Sequence, residues 1–333
     1  MVTVGVPRAL SYYRYFPLWK VLLEGIGAEV VLSRRTAKGL LEHGVRHCVD
    51  DICVPVKLYY GHVLDLKDRV DRLFVSRVVS VEKADSDTYT CPKLIGLPDM
   101  IKGSLEGLPP MLEFVVDVQN RSLKSSVRKL ASDLDAPAPL ARKALARSLA
   151  VQSLYEEELL RGVHPEQAME KVLANGGGGG PAPYTGTCCD MNIALVGHEY
   201  LIHDPFISHD LPRKLTRLGA NTILMSQVPT DVLDQELARY PEISWSYEKE
   251  LLGAASHFLR RPDIDGVMLV IGFACGPDSI IGEIISREVR RPDSPPLTTL
   301  VLDEHTGEAG VATRVEAFVD LIRRARKHPQ KIS

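Results

Sequence analysis

Three of the six cysteines in this sequence share a context. Cys53 is followed by Val54-Pro55, Cys91 directly by Pro92, and Cys275 by Gly276-Pro277. Each lies in a turn at or near the start of an expected helix, whereas Cys48, Cys188 and Cys189 have no such proline. A proline beside a ligating cysteine fixes φ, removes a competing N–H and stiffens the turn. A helix N-terminus adds N–H dipoles that favour a thiolate or a cluster sulfide. Three such thiolates, brought together from two domains, suit an iron–sulfur cluster with one iron left open or held by a non-cysteine ligand. Zinc is a second reading, with His62 or His198 as fourth ligand. Three small core side chains are a third, because cysteine is among the most often buried residues. Spacing does not choose among them: the sequence has no C-x-x-C pair, and Cys48 and Cys53 form only C-x4-C. Cys48 is expected to pack in a helix–loop region, and the adjacent Cys188-Cys189 pair gives no firm ligand.

Proton-carrying groups stand near these thiols. Lys57 and His62 follow Cys53 by four and nine residues. The five-residue step between them does not put them on one helical face. Either could donate to a cluster sulfur or a substrate oxygen; a solvated lysine and a capping or core histidine account for them equally. His198 ends a strand of the second half in a turn, where parallel sheets make their ligand contacts. Glu304 and His305 end another strand and face the same edge as Cys275. An acid/base role and a structural hydrogen bond to the adjacent loop are both open for them. Asp278 and Ser279 are expected to cap the helix after Cys275.

The frame for these residues is an alternation of strands and helices. "VTVGVP" (2–7) reads as a buried strand, "FPLWKVLLEGIG" as a helix with Pro17 in its first turn, and "AEVVLS" (28–33) as the next strand. A helix is expected from about Pro55, with strands over 71–80 and 112–118. From about 121 to 174 the composition turns helical, rich in Ala, Leu, Glu and Arg. "NGGGGGPAPYTG" (175–186) then reads as a linker, since five consecutive glycines carry too high a backbone entropy cost for the interior of an element. The second half starts again with strands in "NIALVGHEYLI" (192–202), "ANTILMS" (220–226), "GVMLVIG" (266–272) and "LTTLVLDEH". "SIIGEIISREVRR" and "GVATRVEAFVDLIRRA" read as helices. The last of these sets Val311, Val315, Phe318, Val319 and Ile322 on one face.

"VGVPRALSYYRYFPLWKVLLEGIGAEVVLS" and "VGHEYLIHDPFISHDLPRKLTRLGANTILMS" run in parallel: strand, Gly, polar turn, helix, Gly-Ala, strand, Ser. The expected fold class is therefore α/β, with two Rossmann-like parallel-sheet lobes related by an internal repeat. The expected organisation is an N-terminal lobe over 1–120, a helical insert over 121–174, a Gly-rich linker over 175–190 and a C-terminal lobe over 191–333.

At 333 residues the chain is long enough for two cores. A net charge of −3 gives no general attraction to nucleic acid or to an anionic membrane. The basic segment 323–331 is expected to end a helix. No signal peptide is expected from the opening residues, and no apolar run approaches membrane-helix length. The expectation is a cytoplasmic protein whose cysteines are thiols or metal ligands.

"GVPRALSYYRYFPLWKVLLEGIGAEVVLS", "CVPVKLYYGHV", "CPKLIGLPDM", "VGHEYLIHDPFI", "GFACGPDS" and "LDEHTGEAGVATRVEAFVDLI" together resemble the acyl-CoA dehydratase activase-related proteins. These form the DUF2229-type branch of the 2-hydroxyacyl-CoA dehydratase superfamily. The resemblance runs over nearly the whole chain and is weakest from about 121 to 190. It implies an oxygen-sensitive [4Fe-4S] cluster with Cys53, Cys91 and Cys275 as ligands. It also implies electrons supplied at low potential by an ATP-dependent activator of the ASKHA fold. In dehydratases of that superfamily the electron makes a ketyl radical of the thioester carbonyl, so that water can leave. Other members reduce benzoyl-CoA or carry an [8Fe-9S] double cubane, which would need about six thiolates. This chain has six cysteines, so a double cubane is the second cofactor reading, set back by the adjacency of Cys188 and Cys189 in a poorly matching segment. The resemblance further implies pairing, with a homologous dehydratase-like subunit or with a second copy. It does not extend to a substrate or to CoA itself. Three functions follow as expectations: a lyase or oxidoreductase component with an iron–sulfur cluster, a non-catalytic electron-transfer or scaffold subunit, and a zinc- or metal-free α/β binding protein.

Overall fold

A computed structural model of the chain describes residues 1–83, 88–174, 189–289 and 294–327. Most of the expected Gly-rich linker, and Cys188 with it, lies outside them. Two compact units result. The first is built from Met1–Glu158 with the segment from Pro165 and the stretch Ser244–Ser246. The second takes Leu159–His164, the segment up to Ile243 and the chain from Tyr247 onward.

In the first unit the order is β1 (Thr3–Val6), α1 (Tyr12–Gly25), β2 (Glu29–Leu32), α2 (Lys38–Val45), α3 (Val54–Leu66), β3 (Arg72–Ser80), α4 (Pro92–Ile95), α5 (Leu97–Ser104) and β4 (Met111–Asp117). After β4 come α6 (Leu123–Asp133), α7 (Ala138–Leu160, in this unit as far as Glu158) and α8 (Pro165–Leu173). The strands form one parallel sheet in the order β2-β1-β3-β4. The helices after β4 group with this sheet: Ser126 Oγ of α6 donates to the Val115 carbonyl of β4 at 2.6 Å.

The second unit repeats the plan. Its elements are β5 (Met191–Gly197), α9 (Glu199–Ile202), α10 (Leu211–Arg217), β6 (Ala220–Leu224), α11 (Thr230–Leu237), α12 (Ser246–Phe258), β7 (Gly266–Gly272), α13 (Gly276–Glu288), β8 (Leu297–Leu302) and α14 (Glu308–Lys327). Its strands pair in parallel in the order β6-β5-β7-β8. The sequence repeat is thus a structural one, two Rossmann-like α/β lobes of identical strand order. β7 is buried at every residue, as a central strand covered on both faces must be. Leu251, Leu252, Ala255 and Phe258 of α12 pack in one core with Ile281 and Ile285 of α13. The expected stripe Val311, Val315, Phe318, Val319 and Ile322 of α14 is buried throughout. Each such side chain contributes about 1.5–3 kcal/mol on leaving water. No helix among the described residues is long and apolar enough to cross a membrane.

α1 corrects one expectation. The sequence places Pro17 in a first turn, but the helix begins at Tyr12 and carries Pro17 in its interior. Proline has no N–H, so the Tyr13 carbonyl loses its helical donor. The buried Tyr155 hydroxyl of α7 donates to that carbonyl instead, and Gln152 Nε2 donates to the Arg14 carbonyl at 2.9 Å. The extra turn is worth forming because it buries Tyr12, Tyr13 and Phe16 in one aromatic cluster. Their burial outweighs a backbone bond whose net worth is about 1 kcal/mol.

α2 and α3 cross through glycines. A Cβ on Gly44 would stand 2.0 Å from the Lys57 carbonyl oxygen, and one on Gly61 would stand 2.2 Å from the Leu40 carbonyl oxygen. The helices meet backbone to backbone, and this crossing sets where the first turn of α3 begins. Gly44→Ala and Gly61→Ala are each expected to lower stability by about 1–3 kcal/mol. The readout is the urea midpoint. Gly103→Ala, in α5 with open space around it, serves as control and is expected to leave the midpoint unchanged or raise it. Equal midpoints for Gly61→Ala and wild type would refute the close crossing.

Candidate functional site

In each lobe the chain leaves the first strand to one side, returns, and adds the third strand on the other side. The reversal opens a crevice at the carboxyl ends of β1 and β3, and again at those of β5 and β7. A helix that follows a strand starts at this edge. So does a helix that leads back into the next parallel strand, because it runs antiparallel to the sheet. The edge therefore collects helix N-termini.

All three proline-associated cysteines occupy the same position on such helices. Cys53 is the N-cap of α3, Cys91 of α4 and Cys275 of α13, each with extended backbone and proline in the first two helical positions. Their φ/ψ pairs are −66°/149°, −63°/150° and −85°/106°. Each carbonyl accepts the first helical bonds: from Val56 and Lys57 for Cys53, from Leu94 and Ile95 for Cys91, and from Ser279 for Cys275. Cys91 and Cys275 occupy equivalent places in the repeat, in the connection that follows the third strand of each sheet. Cys53 is buried; Cys91 and Cys275 are half-buried. Ala274, just before Cys275, has φ 61°, a left-handed value that costs a non-glycine residue about 1 kcal/mol. The turn that presents Cys275 is held in place against that strain.

In the second unit three further side chains converge on the same edge. His198 follows β5 directly, Asp278 lies in the first turn of α13, and Glu248 lies in the first turn of α12. Gly197 lets the strand end close up: a Cβ there would stand 2.5 Å from the Val270 carbonyl oxygen of β7. His198 Nε2 and Asp278 Oδ1 are 2.9 Å apart. One ligand-capable atom from each of His198, Glu248 and Asp278 lies within 4.8 Å of the others, and the residues are only 6 %, 2 % and 1 % exposed. Tyr200 stacks on the His198 ring at 4.9 Å. Burial opposes a charge on His198. The carboxylate of Asp278 and its hydrogen bond, with Glu248 and Glu199 behind them, overcome it and push the imidazole up to about 9. Burial pushes the Glu248 carboxyl up as well. The cluster can hold a proton on His198 beside Asp278, and two of its oxygens, Glu248 Oε2 and Asp278 Oδ2, have no hydrogen-bond partner among the described residues.

The other expected site residues are placed differently. His62 is fully buried on α3, with Nδ1 2.8 Å from Ser33 Oγ and Nε2 3.1 Å from Thr36 Oγ1. Burial drives it down to about 3, so it is neutral and both ring nitrogens face hydroxyls. Lys57 is buried one turn into the same helix. Glu304 and His305 follow β8 in a turn tied by Asp303 Oδ1, which accepts from the His305 N–H at 2.8 Å and from Thr306 Oγ1 at 2.8 Å. His305 lines a shallow depression of about 310 Å³ together with Thr306, Val311 and Arg314. The Cys48 thiol lies 3.7 Å from the Val45 carbonyl at the end of α2. Asp278 is a correction: it pairs with His198 rather than capping its helix, while Ser279 Oγ donates to the Cys275 carbonyl at 2.7 Å. Glu248 carries no signal in the sequence. It sits in "SWSYEKE" without a motif around it, and only its nearness to His198 and Asp278 in the fold reveals it.

Residues 3–228 match the family model described as CoA enzyme activase uncharacterised domain (DUF2229). The matched span takes in Cys53, Cys91 and His198 and ends before Glu248, Cys275 and Asp278. No curated protein matches the chain.

The His198 pairing has a pH signature. A folded-state value above the unfolded one of about 6.5 gives a contribution that is whole below pH 6.5 and fades as pH rises to about 9. In chelator-treated protein, the urea midpoint is expected to fall across that window. Asp278→Asn should flatten the fall. A wild-type and an Asp278→Asn profile of equal slope would rule the pairing out as its source.

Proposed function

We propose that this chain, which belongs to the family of CoA enzyme activase uncharacterised domains, is an iron–sulfur redox protein with Cys53, Cys91 and Cys275 as thiolate ligands. The observation that carries this reading is the threefold use of one device: a thiol on an extended N-cap residue, ahead of proline, at the carboxyl edge of a parallel sheet. Core packing alone gives no reason for three cysteines to repeat that backbone position. The donor set fits the cofactor, since thiolates are soft ligands that select iron–sulfur clusters or zinc over hard cations. The positive end of a helix stabilises the anionic sulfur that such binding needs.

In this reading the cofactor is a [4Fe-4S] cluster with three cysteine ligands, which supplies one-electron reduction at low potential when bound. The chain's own residues hold the thiolates on helix ends. The family's description, together with the motif resemblance to 2-hydroxyacyl-CoA dehydratases, supports a role beside a CoA enzyme. It also supports an electron supply from an ATP-dependent activator of the ASKHA fold. The substrate is then a small molecule to be reduced or dehydrated. The same ligand set would serve a non-catalytic electron-transfer subunit, which differs only in showing no turnover of its own when activator, ATP and a reductant are added.

Protein purified and reconstituted without oxygen is expected to hold about four irons per chain. Cys53→Ala, Cys91→Ala and Cys275→Ala should each lose most of that iron, whereas Cys48→Ala should keep it. Iron and acid-labile sulfide assays provide the measurement. Full iron in Cys91→Ala, or none in the reconstituted wild type, would sink the assignment.

A further inference from the structure

The cluster His198, Glu248 and Asp278 is independent of the cysteines, and its composition asks for a different partner. The ligand-capable atoms comprise one imidazole nitrogen and two carboxylate oxygens, all within 4.8 Å of one another. Atoms bound to a common first-row metal at about 2.0–2.2 Å lie roughly 3–4 Å apart. The His198–Asp278 separation of 2.9 Å lies just below that range, and a small opening of the pair would reach it.

Burial supplies the second observation. Glu248 and Asp278 are 2 % and 1 % exposed, yet Glu248 Oε2 and Asp278 Oδ2 have no hydrogen-bond partner among the described residues. A buried carboxylate oxygen without a partner costs several kcal/mol, and native proteins avoid the arrangement unless an ion or water completes it. His198 by itself does not complete it: its Nε2 faces Asp278 Oδ1, which leaves both second oxygens over. Two carboxylates and a neutral imidazole balance one divalent cation in charge.

We propose that His198, Glu248 and Asp278 form a divalent transition-metal site, for Mn2+, Fe2+ or Zn2+, at the carboxyl edge of the second sheet. The nitrogen and oxygen donors suit these hard to borderline ions, and the absence of thiolate from the set separates it from the cysteine ligands proposed above. Three protein ligands leave at least one coordination position for water or for an anionic oxygen of a substrate, the arrangement of catalytic rather than structural centres. Tyr200, stacked on His198, fixes the plane of the ring. The position is also the place where a doubly wound sheet presents its ligands.

The test uses full-length protein stripped with a chelator, then mixed with MnCl2, which thiolates bind poorly, and passed through a desalting column. One equivalent of metal is expected to remain, measured by elemental analysis. Glu248→Gln and Asp278→Asn should each lower retention at least tenfold, while Cys53→Ala and Cys275→Ala keep it. Cobalt(II) gives a second readout on the wild type alone, so the proposal does not depend on how the variants fold. Visible d–d bands are expected from one equivalent of cobalt beyond any that the cysteines take up with a near-ultraviolet thiolate-to-cobalt band. Retention that survives Glu248→Gln but fails in Cys275→Ala overturns the proposal, as does cobalt bound only with a thiolate band, or no retained metal. Iron assays on the cysteine variants report on the cluster separately, so either reading can fail without the other.

Discussion

The reversal of direction between the first and third strands of each sheet is the constraint on which the rest depends. A parallel strand must be reached by a crossover, and the crossover helix runs back along the sheet. When the chain moves from one side of the first strand to the other, the two crossovers part and leave a crevice at the carboxyl edge. Both lobes make this reversal, with orders β2-β1-β3-β4 and β6-β5-β7-β8. Helix starts gather there, so that edge carries unsatisfied N–H groups and the positive ends of helix dipoles. Cys53, Cys91, Cys275, Glu248 and Asp278 all stand in or just before the first turns of helices that begin at that edge. Anionic groups are favoured there whatever they finally bind.

Two buried histidines show how the partner decides the chemistry of a ring. His62 and His198 are both buried, and burial alone disfavours a charge on either. His62 meets the hydroxyls of Ser33 and Thr36, which are neutral dipoles, and it is driven down to about 3. His198 meets the carboxylate of Asp278 with Glu248 behind it, and it is pushed up to about 9. A full charge at hydrogen-bond distance outweighs desolvation where a hydroxyl does not. The first ring is thus suited to holding α3 in register, and the second to exchanging a proton or a cation.

The first lobe also shows what holds such an edge in position. α3 is fixed against α2 by backbone contact at Gly44 and Gly61, which leaves its first turn little freedom. α1 keeps a proline in its interior because Tyr155, reaching from α7, takes the Tyr13 carbonyl that would otherwise go unpaired, while Gln152 adds a bond to the neighbouring Arg14 carbonyl. The helices after β4 are therefore more than a cover: they complete the hydrogen bonding of the helix that follows β1. A break in either support would be felt at the carboxyl edge, since both elements border it.

The sequence by itself determined what rests on neighbours a few residues apart. The alternation of short β-branched runs with helical stretches was enough for two parallel sheets, and the matching "VG…GA" segments were enough for the repeat. The Cys-x-Pro and Cys-Pro pairs placed three thiols at helix starts, because proline is favoured in the first turn and barred from the next. Pro17 escaped that rule only through a donor 142 residues from the Tyr13 carbonyl it serves. Tertiary structure alone decided the pairings across the fold: Asp278 with His198, 80 residues apart, and His62 with Ser33 and Thr36. Glu248 joined its cluster only because the fold sets the first turn of α12 near His198 and Asp278. Local pattern sets which element forms and which face is apolar, but strand order sets which loop ends meet. A carboxylate takes its proton affinity from the charges it meets there, and those lie far away in the chain.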